Sequence, residues 1–506
     1  MLRRDQGAKQ PTFADQTRAA QAVPEDHVLI RMKRAADWSA VESALARYYT
    51  SAEGRPSWPP AILVRMLLLE QFADLSDREI YEQVGYNLLY RSFVGLSLEE
   101  AVPDDTTLVK FRARIGKDGA REVFGALNRQ WEAAGLIAAK RRVLDGVHLW
   151  AKVARRSWIS LMREGQTLVV EAVMNVDAGR AQALGAEFVP AIGEAEPRGE
   201  EAPRLERERT AKLLAAVADI KDERVQERSR LLAAMLKDED RPTSFDDPDA
   251  RWGHKSKDKP FLGYKSHEAM DPDNRMITGV DVVPGNANEA VRTDELLEGD
   301  TAKREEGAAI IADALYNNAT TAGQARDAGG RPCFAGLNAG VISDGFEYDA
   351  AADQVVCRAG KRSIGKARMS QSAGDLYYFS VGECGGCPLR LGCPKGLSFG
   401  CLTKGELEGK AFGRRRVYFS DVRKAKIAAG EEGRAWRKEQ LKVRYRIEAK
   451  FDEQMNRHGL RRARYWGLAK VTAQVLFNVI TVNLKRAAKL LREQTAGPPG
   501  AVAAPA

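Results

Sequence analysis

The 506-residue sequence predicts an α/β protein: a helical N-terminal region, then an open sheet flanked by helices. Three observations carry that expectation. Residues 58–135 keep helical spacing throughout. From residue 142 to residue 336, short apolar runs recur between turn residues. The last third reads as helical again, under a dense positive charge.

The elements follow in order. Pro60 opens an apolar helix through Leu69, because proline at the first turn costs no hydrogen bond. Ser76 and Glu79 have the spacing of a capping box that starts the next helix. Asp105 is suited to cap a third, Thr106 to Ile115, which projects Lys110, Arg112 and Arg114 and stops at Gly116. This set fits either a helix-turn-helix-like DNA module or a generic bundle with solvated cations. A strand is expected at Arg142–Val147. From about Glu194 to Lys237 the chain is dense in Glu and Arg at helical spacing, a charged insertion with no chemistry assigned to it. Phe261–Met270 and Met276–Val283 read as a hairpin around Asp271-Pro272-Asp273-Asn274. Gly307–Asp313 reads as a buried strand ending in a carboxylate, and another strand is expected near Pro332–Gly336.

Composition narrows the class. Hydrophobic content of 44%, charged content of 29% and a net charge of +9 describe a globular chain of two to four domains. No apolar run reaches the length of a membrane span. The opening residues lack the apolar core of a secretory signal, so a cytoplasmic, nucleoid-associated location is expected. Between Ala411 and Arg492 stand 22 Lys/Arg against 7 Asp/Glu, a surface suited to a polyanion such as DNA. Glu448 lies inside that basic region, in Arg444-Tyr445-Arg446-Ile447-Glu448. It is either a ligand for a divalent metal or an i,i+4 partner of Arg444. Asp145 and Asp313 interrupt or end apolar strands, where ligands collect in open α/β sheets. Val443, Ile447, Phe451 and Met455 form an apolar ridge that places Glu448 at the border of the buried face. Two strand aspartates and one helix glutamate make a hard oxygen site for Mg²⁺ or Mn²⁺, provided that all three converge.

On these residues the sequence resembles bacterial insertion-sequence transposases of the DDE class, with a ribonuclease H-like catalytic domain. The resemblance rests on Val102-Pro103-Asp104-Asp105-Thr106-Thr107-Leu108, Leu144-Asp145-Gly146, Asp247-Pro248-Asp249-Ala250-Arg251, Gly263-Tyr264-Lys265, Pro284-Gly285-Asn286 and Ile311-Ala312-Asp313. Its last stretch runs from Arg444 to Gly467, with Glu448 and Gly459-Leu460-Arg461-Arg462-Ala463-Arg464-Tyr465, so the resemblance covers about residues 58–490. The chain departs from the family pattern at Val147-His148-Leu149-Trp150, at Ala314-Leu315-Tyr316 and at Leu441.

The resemblance implies that Asp145, Asp313 and Glu448 hold two Mg²⁺ or Mn²⁺ ions for cleavage of element ends and transfer of the 3′-hydroxyl to target DNA. It implies a homodimer on double-stranded DNA. Arg444 is expected to hold a phosphate, and Arg461, Arg462 and Arg464 the DNA backbone. Trp436 or Trp466 either stacks on an unpaired base or fills a core position. His148 and His267 either touch DNA or complete a hydrogen bond. A ribonuclease H-like nuclease that cuts without joining, or an inactive DNA-binding descendant, is the competing reading.

Five of the six cysteines fall between Cys357 and Cys401. Cys384-Gly385-Gly386-Cys387, Cys393 and Cys357 can close a structural Zn²⁺ site, with Cys401 as a competing fourth ligand. The expected divisions are a disordered 1–25, a helical DNA-binding domain 26–137, and a first catalytic part 138–330 with a helical insertion at about 160–245. A zinc-bearing insertion 331–410, a helical catalytic part 411–493 and a disordered tail 494–506 follow.

Overall fold

The computed structural model describes residues 23–49, 57–191, 194–237, 242–256, 258–336, 345–369, 374–389, 393, 416–428 and 430–496. The helices of the N-terminal part are α1 (Val28–Arg34), α2 (Trp38–Leu45), α3 (Pro60–Ala73), α4 (Asp77–Tyr86), α5 (Leu88–Val94) and α6 (Asp105–Ala133). Helix α3 is buried almost all round, as a helix without a polar face must be. The capping box forms: Ser76 Oγ accepts the Glu79 N–H while the Glu79 carboxylate accepts the Ser76 N–H. Two local expectations are corrected. Asp104, not Asp105, caps α6, accepting the Thr107 N–H at 2.6 Å. Gly116 breaks the helix, at φ +56°, without ending it, and α6 resumes to Ala133.

The main sheet contains β1 (Arg141–Trp150), β2 (Arg251–Ser256), β3 (Lys259–Asp271), β4 (Met276–Pro284), β5 (Ala308–Ala312) and β6 (Gly330–Phe334). Its order is β2-β3-β1-β5-β6, with β4 also paired to β3. β1 runs antiparallel to β3 and parallel to β5, and β5 runs parallel to β6. This mixed, helix-flanked sheet is consistent with the ribonuclease H-like expectation. The predicted hairpin and strands are all present, with β1 and β3 longer than read from sequence. β1 and β3 can approach because position 263 is glycine: a Cβ there would stand 2.0 Å from the Leu149 carbonyl oxygen.

Between β1 and β2 lie α7 (Trp158–Met174), α8 (Ala178–Phe188), α9 (Ala202–Ala216) and α10 (Glu223–Met235). They close around their own apolar cluster, which includes Met162, Val169, Leu184, Leu213, Leu232 and Phe245. After β4 and β5 come α11 (Thr293–Glu298) and α12 (Ala319–Asp327).

The expectation of a wholly helical last third is corrected. Residues 346–420 contain β7 (Phe346–Asp349), β8 (Gln354–Cys357), β9 (Gly365–Arg368), β10 (Gly374–Tyr378), a short α13 (Val381–Gly385) and β11 (Arg416–Ser420). They form a two-stranded and a three-stranded sheet around Phe346, Val355, Tyr377, Phe379, Val417 and Phe419. Strands of four or five residues are too short to display an alternation against their turns.

The chain ends in α14 (Asp421–Ala428), α15 (Gly430–Leu441), α16 (Arg446–Arg457) and α17 (Leu468–Ala496). Helix α17 packs on α1, α3, α6 and β4, so the N-terminal helices and the sheet share one core. Among the described residues, no helix is long and apolar enough to cross a membrane.

Candidate active site

Asp145 sits in the middle of β1, its side chain 21% exposed. The β1–β5 register pairs Val143 with Ile311, so two residues further on Asp145 comes level with Asp313, just past the end of β5. Asp313 accepts the Leu315 N–H at 2.8 Å, which fixes its rotamer at the strand end. Glu448 lies in the first turn of α16 and is 57% exposed. Ile447 and Phe451 are buried and Met455 is packed against the same core, so the apolar ridge seats the helix as the sequence predicts.

Arg444 joins these groups. Its guanidinium lies 3.8 Å from Asp145 Oδ2 and 3.3 Å from Glu448 Oε1. Burial pushes the Asp145 carboxyl up to about 6; the Gly146 N–H and Arg444 oppose that shift, while Asp313 and Glu448 add to it. The three expected carboxylates therefore share one electrostatic neighbourhood with an excess of negative charge. Their hard oxygen donors suit a divalent cation. Among the described residues, however, no three such groups already stand as a metal-holding cluster. Arg444 takes the position of counter-ion instead.

Glu268, which the sequence reading missed, is the fourth carboxylate. The β1–β3 register sets it directly opposite Asp145, on the same face of the sheet. It is fully buried, accepting from Ser266 Oγ at 2.9 Å and from Gln454 Nε2 at 3.0 Å. Burial raises it to about 7 against those two hydrogen bonds. Gln454 belongs to α16, so the helix that presents Glu448 is tied to the strand beside Asp145. The sequence shows Ser266 and Glu268 on one face of the strand beside Leu262, Tyr264 and Met270, but not what stands opposite them.

The expected DNA-contacting cations divide into two groups. Lys110, Arg114, Arg461 and Arg462 are exposed. The Arg461–Ala463 segment docks on the end of β1: Trp150 N–H donates to the Arg461 carbonyl, and Ala463 N–H to the Trp150 carbonyl. Arg112 is instead paired with both oxygens of Asp77 and lies 3.3 Å from Glu70. Arg464 reaches Glu70 at 2.9 Å and Asp74 at 2.6 Å, and the Tyr465 hydroxyl donates to Glu70 at 3.1 Å. Buried Glu70 thus draws cations from α6 and from the loop after α16 onto α3.

The remaining sequence candidates have structural surroundings. His148 packs edge-on to Phe261 and is lowered to about 4 by burial, then by Lys265 and Lys255. Buried His267 hydrogen-bonds the Tyr316 hydroxyl. The Trp436 ring is half-buried, with the Arg331 guanidinium 3.8 Å from its centre; Trp466 is exposed and donates to the Lys152 carbonyl. Asp247 accepts from the Tyr264 hydroxyl and the Gly467 N–H, and Asp249 accepts from the Leu468 N–H. Three of the quoted motifs therefore meet at the start of α17, as scaffold.

Cys357, Cys384 and Cys393 pack at the margin of the small aromatic core, Cys387 is half-buried, and Cys333 is buried on β6. Cys401 lies outside the described residues.

Residues 17–114 match the family model described as Transposase domain (DUF772). Residues 227–376 and 356–488 match two models, each described as Transposase DDE domain. The chain belongs to the DDE transposases. It is thus of a class of enzymes that cleave DNA and transfer strands with divalent metal ions. The two DDE matches take in Asp313 and Glu448, whereas Asp145 precedes them and is brought level with Asp313 by the β1–β5 register. No solved structure matches this transposase.

Proposed function

We propose that Asp145, Asp313 and Glu448 are the catalytic carboxylates of this transposase, and that it cuts the ends of its element and joins the freed 3′-hydroxyl to target DNA. The observation that carries this reading is the Asp145 carboxyl, raised to about 6 by burial and facing two further carboxylates, with Arg444 beside it. Bound Mg²⁺ or Mn²⁺, two ions in this reading, supplies the Lewis acidity that activates the attacking oxygen and stabilises the departing one.

The protein's own residues do the positioning. Asp145 on β1 and Asp313 just past the end of the neighbouring β5 are held by backbone N–H donors. Glu448 is exposed on a helix, paired with Arg444 at 3.3 Å. Arg444 partly offsets the charge of Asp145 and Glu448 and is placed to hold a phosphate of bound DNA. Water attack breaks a P–O bond to release a 3′-hydroxyl. That hydroxyl then attacks a target phosphodiester and displaces its 3′-oxygen, one bond forming as one breaks.

Lys110, Arg114, Arg461 and Arg462 are proposed to hold the DNA backbone. Arg112 and Arg464 are left out of that set, because buried ion pairs already engage them. Two copies act on two ends in this reading. Cys357, Cys384, Cys387 and Cys393 are the thiols proposed to hold a structural Zn²⁺, with Cys401 the alternative fourth ligand; among the described residues no three of them already stand as a metal-holding group, so the ion would have to draw them together.

Incubation with Mg²⁺ and a labelled terminal inverted repeat tests the activity. Strand transfer supports the proposal. Cleavage without joining selects a nuclease, and binding without either selects an inactive descendant.

A further inference from the structure

A cavity of about 770 Å³ opens between α14 and α15, where the three-stranded sheet meets the catalytic core. Ile427 and Leu441 supply its apolar lining, and Arg423, Arg434, Arg437, Lys438 and Lys442 its cations. No carboxylate lines it among the described residues. Lys442 pairs with Glu439 outside the cavity; Arg434, Arg437 and Lys438 form no ion pair among the described residues. Like charges converging on a concave wall repel one another and focus a positive potential, an arrangement stabilised by an anion.

The placement is as informative as the charge. α15 packs along β5 and β6, and Gln440 near its end accepts from Arg141 at the start of β1. From Leu441 a single turn leads to Arg444 and then to Glu448. The helix that lines the cavity therefore leads within a few residues to the helix that carries Glu448. Three of its cations, Arg434, Arg437 and Lys438, share one face of α15, Lys442 follows just past its end, and Arg423 stands on α14.

We propose that this α14–α15 groove is a phosphate-backbone site for double-stranded DNA, separate from the Arg461–Arg462 loop, which guides a duplex toward Asp145 and Glu448. The proposal rests on the DNA-binding part of the functional reading and not on its chemistry. It is therefore tested without metal.

The experiment measures binding of the full chain in EDTA to a fluorescent duplex across a salt series, for wild type and Arg434→Gln/Lys438→Gln. Both positions are exposed, and an unchanged thermal midpoint certifies folding. Loss of two phosphate contacts is expected to make the slope of log K against log salt less negative by about 1.8. One arm uses element-end DNA and another an unrelated duplex. Weakening on the end sequence alone assigns the groove to the element, and weakening on both assigns it to any duplex, target included. An unchanged slope on both duplexes overturns the proposal. Asp145→Asn runs alongside: if it binds normally yet the groove variant also does, only the groove is refuted. Failure of wild type to bind either duplex sinks both readings.

Discussion

Asp145 is a carboxylate placed where its own ionisation is unfavourable. Its pKa is about 6 in the folded state, above the ordinary value near 3.8. The folded protein thus holds a proton that the unfolded chain has lost between these values, and stability falls as pH rises through that window. Above pH 6 the penalty is fully present, at most about 3 kcal/mol at 1.36 kcal/mol per pKa unit. Asp145→Asn is therefore expected to stabilise the EDTA-treated protein at pH 7 by about 1–3 kcal/mol, with the difference disappearing near pH 4. Urea unfolding at the two pH values checks this; equal stability of variant and wild type at pH 7 contradicts it. The same variant should bind DNA normally and join none. Asp145 and Asp313 were legible in the sequence as acids on apolar strands, and Glu448 as an acid among cations. Glu268 was not, because its role depends on which residue of β1 stands opposite, and register is absent from a linear pattern.

At the scale of elements, α16 carries the argument. Its seat combines the Ile447–Phe451 ridge with one buried polar tie, Gln454 to Glu268. Gln454→Leu removes the donor and leaves a buried acceptor short of a partner, at a cost of about 1–3 kcal/mol. If the tie also sets the height of Glu448 above Asp145, the turnover rate should fall more than tenfold while the DNA dissociation constant stays within twofold. Equal losses in both would show a merely structural role. Long elements were readable: α3 by its unbroken apolar run, β3 and β4 by the Asp-Pro-Asp-Asn turn between them. The short strands of 346–420 were hidden, since four or five residues between glycines carry too few alternations. Chelation addresses that module. Extended treatment with a strong chelator is expected to remove about one zinc per chain by elemental analysis and to expose the tyrosines near Cys357 to quenching, as metal-coupled folding requires. Stoichiometry near zero in freshly purified protein contradicts the zinc assignment.

For the whole molecule, Glu70 is the point where α3, α6 and the loop after α16 are locked together. Sequence reading took Arg112 and Arg464 as DNA contacts because an exposed cation and a buried, paired one look alike in one dimension; only packing separates them. Breaking a buried pair leaves a charge uncompensated, so Arg464→Ala should cost about 3–5 kcal/mol in stability. Its DNA salt slope should be unchanged. Arg461→Ala should behave oppositely, with little loss of stability and a slope less negative by about 0.9. If Arg464→Ala alters the slope and not the stability, Glu70 is not the lock described.

The most direct test of the central claim uses a pre-cleaved element end with its 3′-hydroxyl already free, Mg²⁺, target DNA and the Glu448→Gln variant. If Glu448 acts in one site with Asp145 and Asp313, joining should fall by about a thousandfold, the size of losing one pre-organised charge stabiliser, while end binding persists. Joining within tenfold of wild type would contradict it.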